Sequence, residues 1–223
     1  AGRDVTSTAG DNVTTTAGAN TGTASGAVDI DAGRNVNLAG DIVTTGANHA
    51  GVGATASAGG QVDITTVDGW ITVDDITTSG GDATGGGVST GGAAAAINLT
   101  SGDAVAGDTH DITLNGVLTA LGGAGATDGT DGTVTLIADG AVDEGAADAL
   151  TDIAAGTLYI VSNTGVGATN TLDTEVTTID VLNQVSGNIQ IIEVAAGGDL
   201  DVQEATQAGT SGSISLTTQR GDL

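Results

Sequence analysis

The chain has 223 residues, with 28 acidic side chains, three arginines and no lysine, for a net charge of −25 at pH 7. Arg3, Arg34 and Arg220 are too few to build the basic patch that neutralises phosphates, which argues against a nucleic-acid partner. With 39 glycines, no Pro, Cys, Met or Phe, and only Trp70 and Tyr159 as aromatics, the composition argues against an ordinary globular core, and the lack of cysteine excludes a disulfide framework.

Such a charge suggests disorder, but 39% of the residues are hydrophobic and the Val, Ile and Leu recur at regular spacing, so the chain is read as folded. No run of 18 apolar residues is present, and no membrane span is expected.

The strongest signal is internal repetition. The unit is Gly, any residue, an apolar residue, a polar residue, an apolar residue, then a turn and a second apolar pair. Its clearest copy is Gly26-Ala27-Val28-Asp29-Ile30-Asp31-Ala32-Gly33-Arg34-Asn35-Val36-Asn37-Leu38, followed by Ile42. Copies follow at Gly60 (Val62, Ile64, then Ile71, Val73, Ile76), Ala95 (Ile97, Leu99, then Ile112, Leu114, Val117) and Gly132 (Val134, Leu136), at steps of 34, 35 and 37. Three more start at Gly156 (Leu158, Ile160), Gly187 (Ile189, Ile191, then Leu200, Val202) and Gly212 (Ile214, Leu216), at steps of 24, 31 and 25.

Within each copy apolar residues alternate with Asp, Asn, Thr or Gln, the period of a strand with one buried face, and Val, Ile and Thr suit a pleated surface. Helical spacing occurs once, over residues 143–155, through Ala147, Leu150 and Ile153 or Ala154. Tracts of mostly Gly, Ala, Ser and Thr at residues 46–59, 79–92 and 122–132 fall at the same place in successive repeats. That placement predicts loops stacked along one side, because insertions in a solenoid map to one face.

These features predict an all-β fold, a parallel β-solenoid whose windings bury ladders of Val, Ile and Leu. A sandwich would call for bulkier core residues and a central aromatic. Residues 1–140 read as the part with long loop insertions and residues 141–223 as a more tightly wound continuation. Nine or so windings at about 4.8 Å each give a rod on the order of 45 Å long.

The unit at Gly26, seen loosely again from Gly187 to Val202, resembles the repeats of filamentous-haemagglutinin-like bacterial surface proteins, as do Asp111-Ile112-Thr113-Leu114-Asn115-Gly116 and Gly212-Ser213-Ile214-Ser215-Leu216-Thr217. The resemblance covers most of the chain. It implies a right-handed β-helix within a very large secreted protein, displayed as an adhesive or structural fibre. The repeats here are longer and less regular than that family's, and the acidity is more pronounced.

No enzyme is expected. His49 and His110 stand 61 residues apart without a recognisable nucleophile nearby. Acid pairs occur at Asp29/Asp31, Asp74/Asp75 and Asp143/Glu144, as a solenoid-fold glycosidase requires, but sugar-binding grooves also need aromatic platforms. Gly51-Val52-Gly53-Ala54-Thr55-Ala56 fits a loosened dinucleotide fingerprint without the strand before it or the helix after it. No cofactor is required on this reading.

Calcium is the most credible small partner, since carboxylate and carbonyl oxygens in Asp/Gly turns are hard ligands. Asp128 and Asp131, in Gly122-Gly123-Ala124-Gly125-Ala126-Thr127-Asp128-Gly129-Thr130-Asp131-Gly132, are the candidate ligands, one position short of the calcium-binding nonapeptide repeat. Arg220-Gly221-Asp222 spells an integrin-binding tripeptide, yet Gly40-Asp41-Ile42 and Gly198-Asp199-Leu200 show that Gly-Asp-apolar is ordinary punctuation here. Asn12 and Asn98 match the glycosylation acceptor pattern by chance, and adjacent threonines such as Thr65/Thr66 and Thr77/Thr78 face opposite sides of a strand and form no flat array.

The leading expectation is an extracellular or cell-surface structural or adhesive segment of a fibre, which continues into further repeats of a longer chain or joins head-to-tail with copies of itself. Ala1-Gly2-Arg3-Asp4-Val5 opens as Ala32-Gly33-Arg34-Asn35-Val36 does, and Gly221-Asp222-Leu223 stops where a strand begins, so no polar cap is evident. The alternatives are a calcium-dependent module that binds a surface ligand through its loops, an archaeal or halophile surface-layer component, and a polysaccharide-active solenoid enzyme.

Overall fold

The computed structural model describes residues 3–18, 22–102, 110–194 and 199–223. Among these residues every regular element is a strand and every strand pairing is parallel. One row of paired strands comprises β3 (Val28–Ala32), β6 (Val62–Thr66), β9 (Ile97–Ser101), β12 (Thr133–Ala138), the second halves of β14 (Ile153–Ser162) and β15 (Leu172–Asn183), and β17 (Asp201–Gln207). A second row is a five-stranded sheet of β1 (Val5–Thr6), β4 (Val36–Asn37), β7 (Ile71–Val73), β10 (Ile112–Leu114) and β13 (Val142–Glu144). The third runs through β2 (Val13–Thr14), β5 (Ile42–Val43), β8 (Ile76–Thr77), β11 (Leu118–Ala120) and the first parts of β14 and β15. Finally β16 (Ile189–Glu193) pairs β15 and β18 (Ile214–Thr218). This is an all-β architecture of curled parallel sheets, consistent with a β-solenoid.

Inward positions of partner strands carry similar aliphatic side chains. In the first row Ile30, Ile64, Leu99, Leu136, Ile160 and Val181 are register partners in succession, and from Ile64 onward they are fully buried. Full burial of each such side chain stabilises the fold by roughly 1.5–3 kcal/mol. The core is built from Val, Ile, Leu and Ala, while Trp70 and Tyr159 lie outside it.

The copies starting at Gly26, Gly60, Ala95, Gly132 and Gly156 align as the sequence spacing predicts, with Val28, Val62, Ile97, Val134 and Leu158 as successive partners. Beyond Leu158 the pattern departs from expectation. Its next partner is Ile179, and Ile179 pairs with Val202, so steps of 21 and 23 replace those read from the glycines. The copies at Gly187 and Gly212 form β16 and β18, which pair with each other instead, and Ile189 bridges back through Val166 to Val142 of the second row. The strand that intervenes, β15, has 12 residues and no glycine to announce it. In β14, residues 153–155 lie beside β11 and residues 157–161 beside β12, so the chain passes between rows at Gly156 without a loop.

The helical spacing over residues 143–155 gives no helix. Residues 142–144 belong to β13, Ile153 opens β14, and Leu150 is 70% exposed. Val142 and Ile153 are fully buried as the register partners of Ile112 and Leu118, and that burial outweighs a short local preference. No helix of the described residues is long and apolar enough to cross a membrane.

The Gly-rich tracts are bonded to one another. Parallel bridges link His49 to Ala83 and Thr55 through Thr90 to Thr127. The Gly81 amide donates to the Ser57 carbonyl (2.9 Å), Gly92 to Gly81 (2.8 Å), Gly123 to Gly92 (2.8 Å) and Gly129 to Gly123 (2.8 Å). Ala54, Ala56, Ser57, Ala83 and Ser89 are buried within these loops. Glycine is required by proximity: a Cβ on Gly92 would land on the Ser57 carbonyl, and one on Gly123 on that of Gly81. Gly86, in the same tract, has nothing within 4 Å of such an atom. Gly92→Ala is therefore expected to destabilise by at least about 2 kcal/mol in urea unfolding, and Gly86→Ala to be neutral or stabilising by up to about 1 kcal/mol. Equal effects would contradict the stacked-loop packing.

Candidate functional site

In β13 the strand alternation points Val142 and Glu144 inward and Asp143 outward. Glu144 is the register partner of Leu114, which in turn pairs with Val73, so a carboxylate stands in a ladder that otherwise holds aliphatic side chains. The chain then leaves the sheets over residues 145–151 and returns at Asp152, immediately before β14.

Asp152 is held on both sides by backbone. The Leu118 amide donates to its carbonyl (2.8 Å), and its own amide donates to the Asp173 carbonyl (2.8 Å). The Asp173 amide donates to Asp152 Oδ2 (2.7 Å). Glu144 Oε1 accepts from the Asp148 amide (3.1 Å), whereas Glu144 Oε2 is buried with no hydrogen-bond partner. Glu144 and Asp152 are each 6% exposed and Asp173 5%. A cavity of about 80 Å³, partly open to solvent, is lined by Glu144, Asp148, Asp152, Asn115, Thr151 and Leu150 among others.

The ion pairs among the described residues, Arg34 with Asp4 and His110 with Asp68, bring no cation to this cluster. Burial accordingly pushes the Asp152 carboxyl up to about 7, helped by the charges of Glu144, Asp173 and Asp148 and opposed by the Asp173 amide. Burial also raises Glu144, with Asp148 and Asp173 adding to it, and raises Asp173, with Asp148 adding to it.

The residues singled out from the sequence lie elsewhere or apart. Asp128 Oδ1 accepts from the Gly125 amide (3.1 Å) and Asp131 Oδ1 from the Gly122 amide (2.7 Å), so both candidate calcium ligands close turns of their own loop. Among the described residues no three His, Asp or Glu side chains are disposed to hold one metal ion. His49 Nδ1 lies 2.9 Å from the Thr55 carbonyl, and His110 Nε2 lies 3.9 Å from Asp68 Oδ1. Asp29 and Asp31 are exposed on β3, and Asp75 accepts from the Val117 amide (2.8 Å). Asp143 and Glu144 point to opposite sides of β13, so the pair does not share a groove. The tripeptide at Arg220 is part of the terminal backbone network, with the Leu200 amide donating to the Asp222 carbonyl (2.9 Å). Asn12 and Asn98 hydrogen-bond to Asp41 and Asp63 of neighbouring strands or turns.

Of the acids at this site only Glu144 stands out in the sequence, as the second member of the Asp143/Glu144 pair. The available signal was phase: Ile112-Thr113-Leu114 aligns with Val142-Asp143-Glu144, which puts an acid where an aliphatic residue belongs.

Comparison with protein-family models, with curated proteins and with solved structures gives no match.

A carboxyl whose pKa is higher in the folded than in the unfolded state binds its proton preferentially when folded, so its burial is least costly in acid and most costly above the folded pKa. In EDTA, stability should therefore fall as pH rises from about 4 to about 7, with Asp152 contributing a few kcal/mol. Asp152→Asn keeps an acceptor for the Asp173 amide, and it should flatten this decline and raise the unfolding midpoint at the alkaline end. Wild-type and variant urea midpoints that run parallel across this range would contradict the placement of Asp152.

Proposed function

We propose that the chain is a length of right-handed parallel β-solenoid, with its Gly-rich loops stacked on one side, that serves as a structural or adhesive segment of an extracellular bacterial surface fibre. The observation carrying this reading is the continuous parallel pairing of the first row from β3 to β17, with one register shift between Ile179 and Asp180 and with strands left open on the outside. Among the described residues β17 pairs only with β15, β18 only with β16, and β1 and β2 only with β4 and β5. Open edges of this kind are templates for further strands. Further repeats of a longer polypeptide or a second copy of the chain would complete them. The resemblance of the Gly26 unit to filamentous-haemagglutinin-like repeats supports the same reading, as does a composition free of Met, Cys and Lys, which resists oxidation and trypsin outside a cell.

The fibre role assigns no catalytic step to the chain. Acidic outward positions, such as Asp29 and Asp63 on the first row, keep the sides of the rod charged. Lateral association is thereby disfavoured relative to end-to-end association.

Ile214 is the register partner of buried Ile189 yet is itself 43% exposed on the outermost strand. If copies join there, wild-type protein should form concentration-dependent end-to-end oligomers in sedimentation velocity and short rods in negative stain. Ile214→Lys should remain monomeric with an unchanged circular dichroism spectrum. A wild-type monomer at every concentration would remove self-assembly and leave continuation within a longer polypeptide as the surviving form of the proposal.

A further inference from the structure

Glu144 occupies a position whose partners in earlier strands are Leu114 and Val73, so its carboxylate is not demanded by packing. Nor is it demanded by hydrogen bonding. Oε1 takes one amide and Oε2, fully buried, takes none, on a residue that is 6% exposed and belongs to the wall of a cavity. An unpaired buried carboxylate is costly to keep, and the remedies are protonation, toward which burial already moves Glu144 and Asp152, a cationic side chain or a bound cation. Among the described residues neither Arg34 with Asp4 nor His110 with Asp68 reaches this cavity. The wall instead adds a second buried carboxylate, Asp152, a more exposed one at Asp148, and the hard oxygens of Asn115 and Thr151.

We infer that the cavity between β13 and the start of β14 is a binding site for a hard divalent cation, with calcium the probe of choice, held by the carboxylates of Glu144 and Asp152. The ligand chemistry is all oxygen, which selects calcium or magnesium over softer ions. No three acidic side chains converge on a single ion position among the described residues. The ion accordingly keeps much of its water, and the cavity, about 80 Å³ and partly open to solvent, has space for an ion with a few of its waters. Neutralisation of Glu144 and Asp152 would also relieve their repulsion with Asp173 and Asp148. The site is distinct from the Asp128/Asp131 loop, and the inference does not depend on the fibre reading.

The test is calorimetric titration of calcium chloride, and separately magnesium chloride, into the full chain stripped with EDTA at about pH 8 and about 150 mM sodium chloride, where surface screening is strong. Wild type, Glu144→Gln, Asp152→Asn and the double variant Asp128→Asn/Asp131→Asn are compared. The expected result is saturable binding of one ion by wild type, and a rise in Tm of about 5 °C or more once calcium exceeds Kd about 100-fold. Both effects should be lost in Glu144→Gln and Asp152→Asn and kept in the double loop variant. A readout free of substitutions is calcium titration of the ¹⁵N-labelled wild type, in which the amides of Asp148 and Asp173, donors to the two carboxylates, should shift first. Absence of saturable binding in wild type, binding unchanged in both cavity variants, loss in the loop variant alone, or shifts confined to residues 122–132 would each overturn the inference.

Discussion

Parallel, in-register contact between aliphatic side chains on successive strands holds the molecule together, and most other features follow from keeping that contact continuous. Ile64, Leu99, Leu136 and Ile160 sit on one another along the first row; Ile42, Ile76, Leu118 and Ile153 do the same along the third. A shift of one residue in any strand would turn its apolar set outward and its Asp and Thr inward, so the alternation fixes the register. Residues of similar, moderate volume suit such ladders. Large aromatics would force neighbouring strands apart, in keeping with a core that lacks them. Absence of proline is the backbone counterpart, because a central parallel strand needs every amide.

The loops extend the constraint to polar sequence. Their legs approach so closely that a methyl group at Gly92, Gly123 or Gly129 would collide with a neighbouring carbonyl, and their amides bond from one tract to the next. Composition alone suggests flexible linkers for such tracts. What distinguishes them is their recurrence after the third-row strand and before the first-row strand, which lets equivalent residues pair.

Legibility in the sequence follows the same physics. Where glycine precedes a first-row segment, as at Gly26, Gly60, Gly132 and, within β14, Gly156, the spacing gives the register directly. It fails at β15, which crosses two rows as β14 does but carries Thr177 and not a glycine at the crossing. Periodicity also misleads over residues 143–155, where a few apolar residues at helical spacing belong to two different strands. The acidic cluster was the least visible feature. Adjacent acids such as Asp143 and Glu144 face opposite ways, while Glu144 and Asp152 stand at the two ends of residues 145–151 and are joined by Asp173 of the next strand through backbone pairing. Comparing inward positions between repeats exposes Glu144; nothing local exposes Asp173.

Buried carboxylates and aliphatic ladders pull in opposite directions at this point of the fold, since Asp152 and Asp173 stack in consecutive strands where hydration is poor. The register itself is most directly measured by disulfide trapping, for which a cysteine-free chain provides a clean background. Asn98, Thr135 and Tyr159 are successive outward partners on β9, β12 and β14. Neighbouring strands lie about 4.8 Å apart and alternate ones about twice that, and a disulfide spans at most about 7 Å between Cα atoms. Under mild oxidation Asn98→Cys/Thr135→Cys should cross-link within monomers and Asn98→Cys/Tyr159→Cys should not; equal cross-linking of the two pairs, or none in the first, would contradict the parallel in-register ladder.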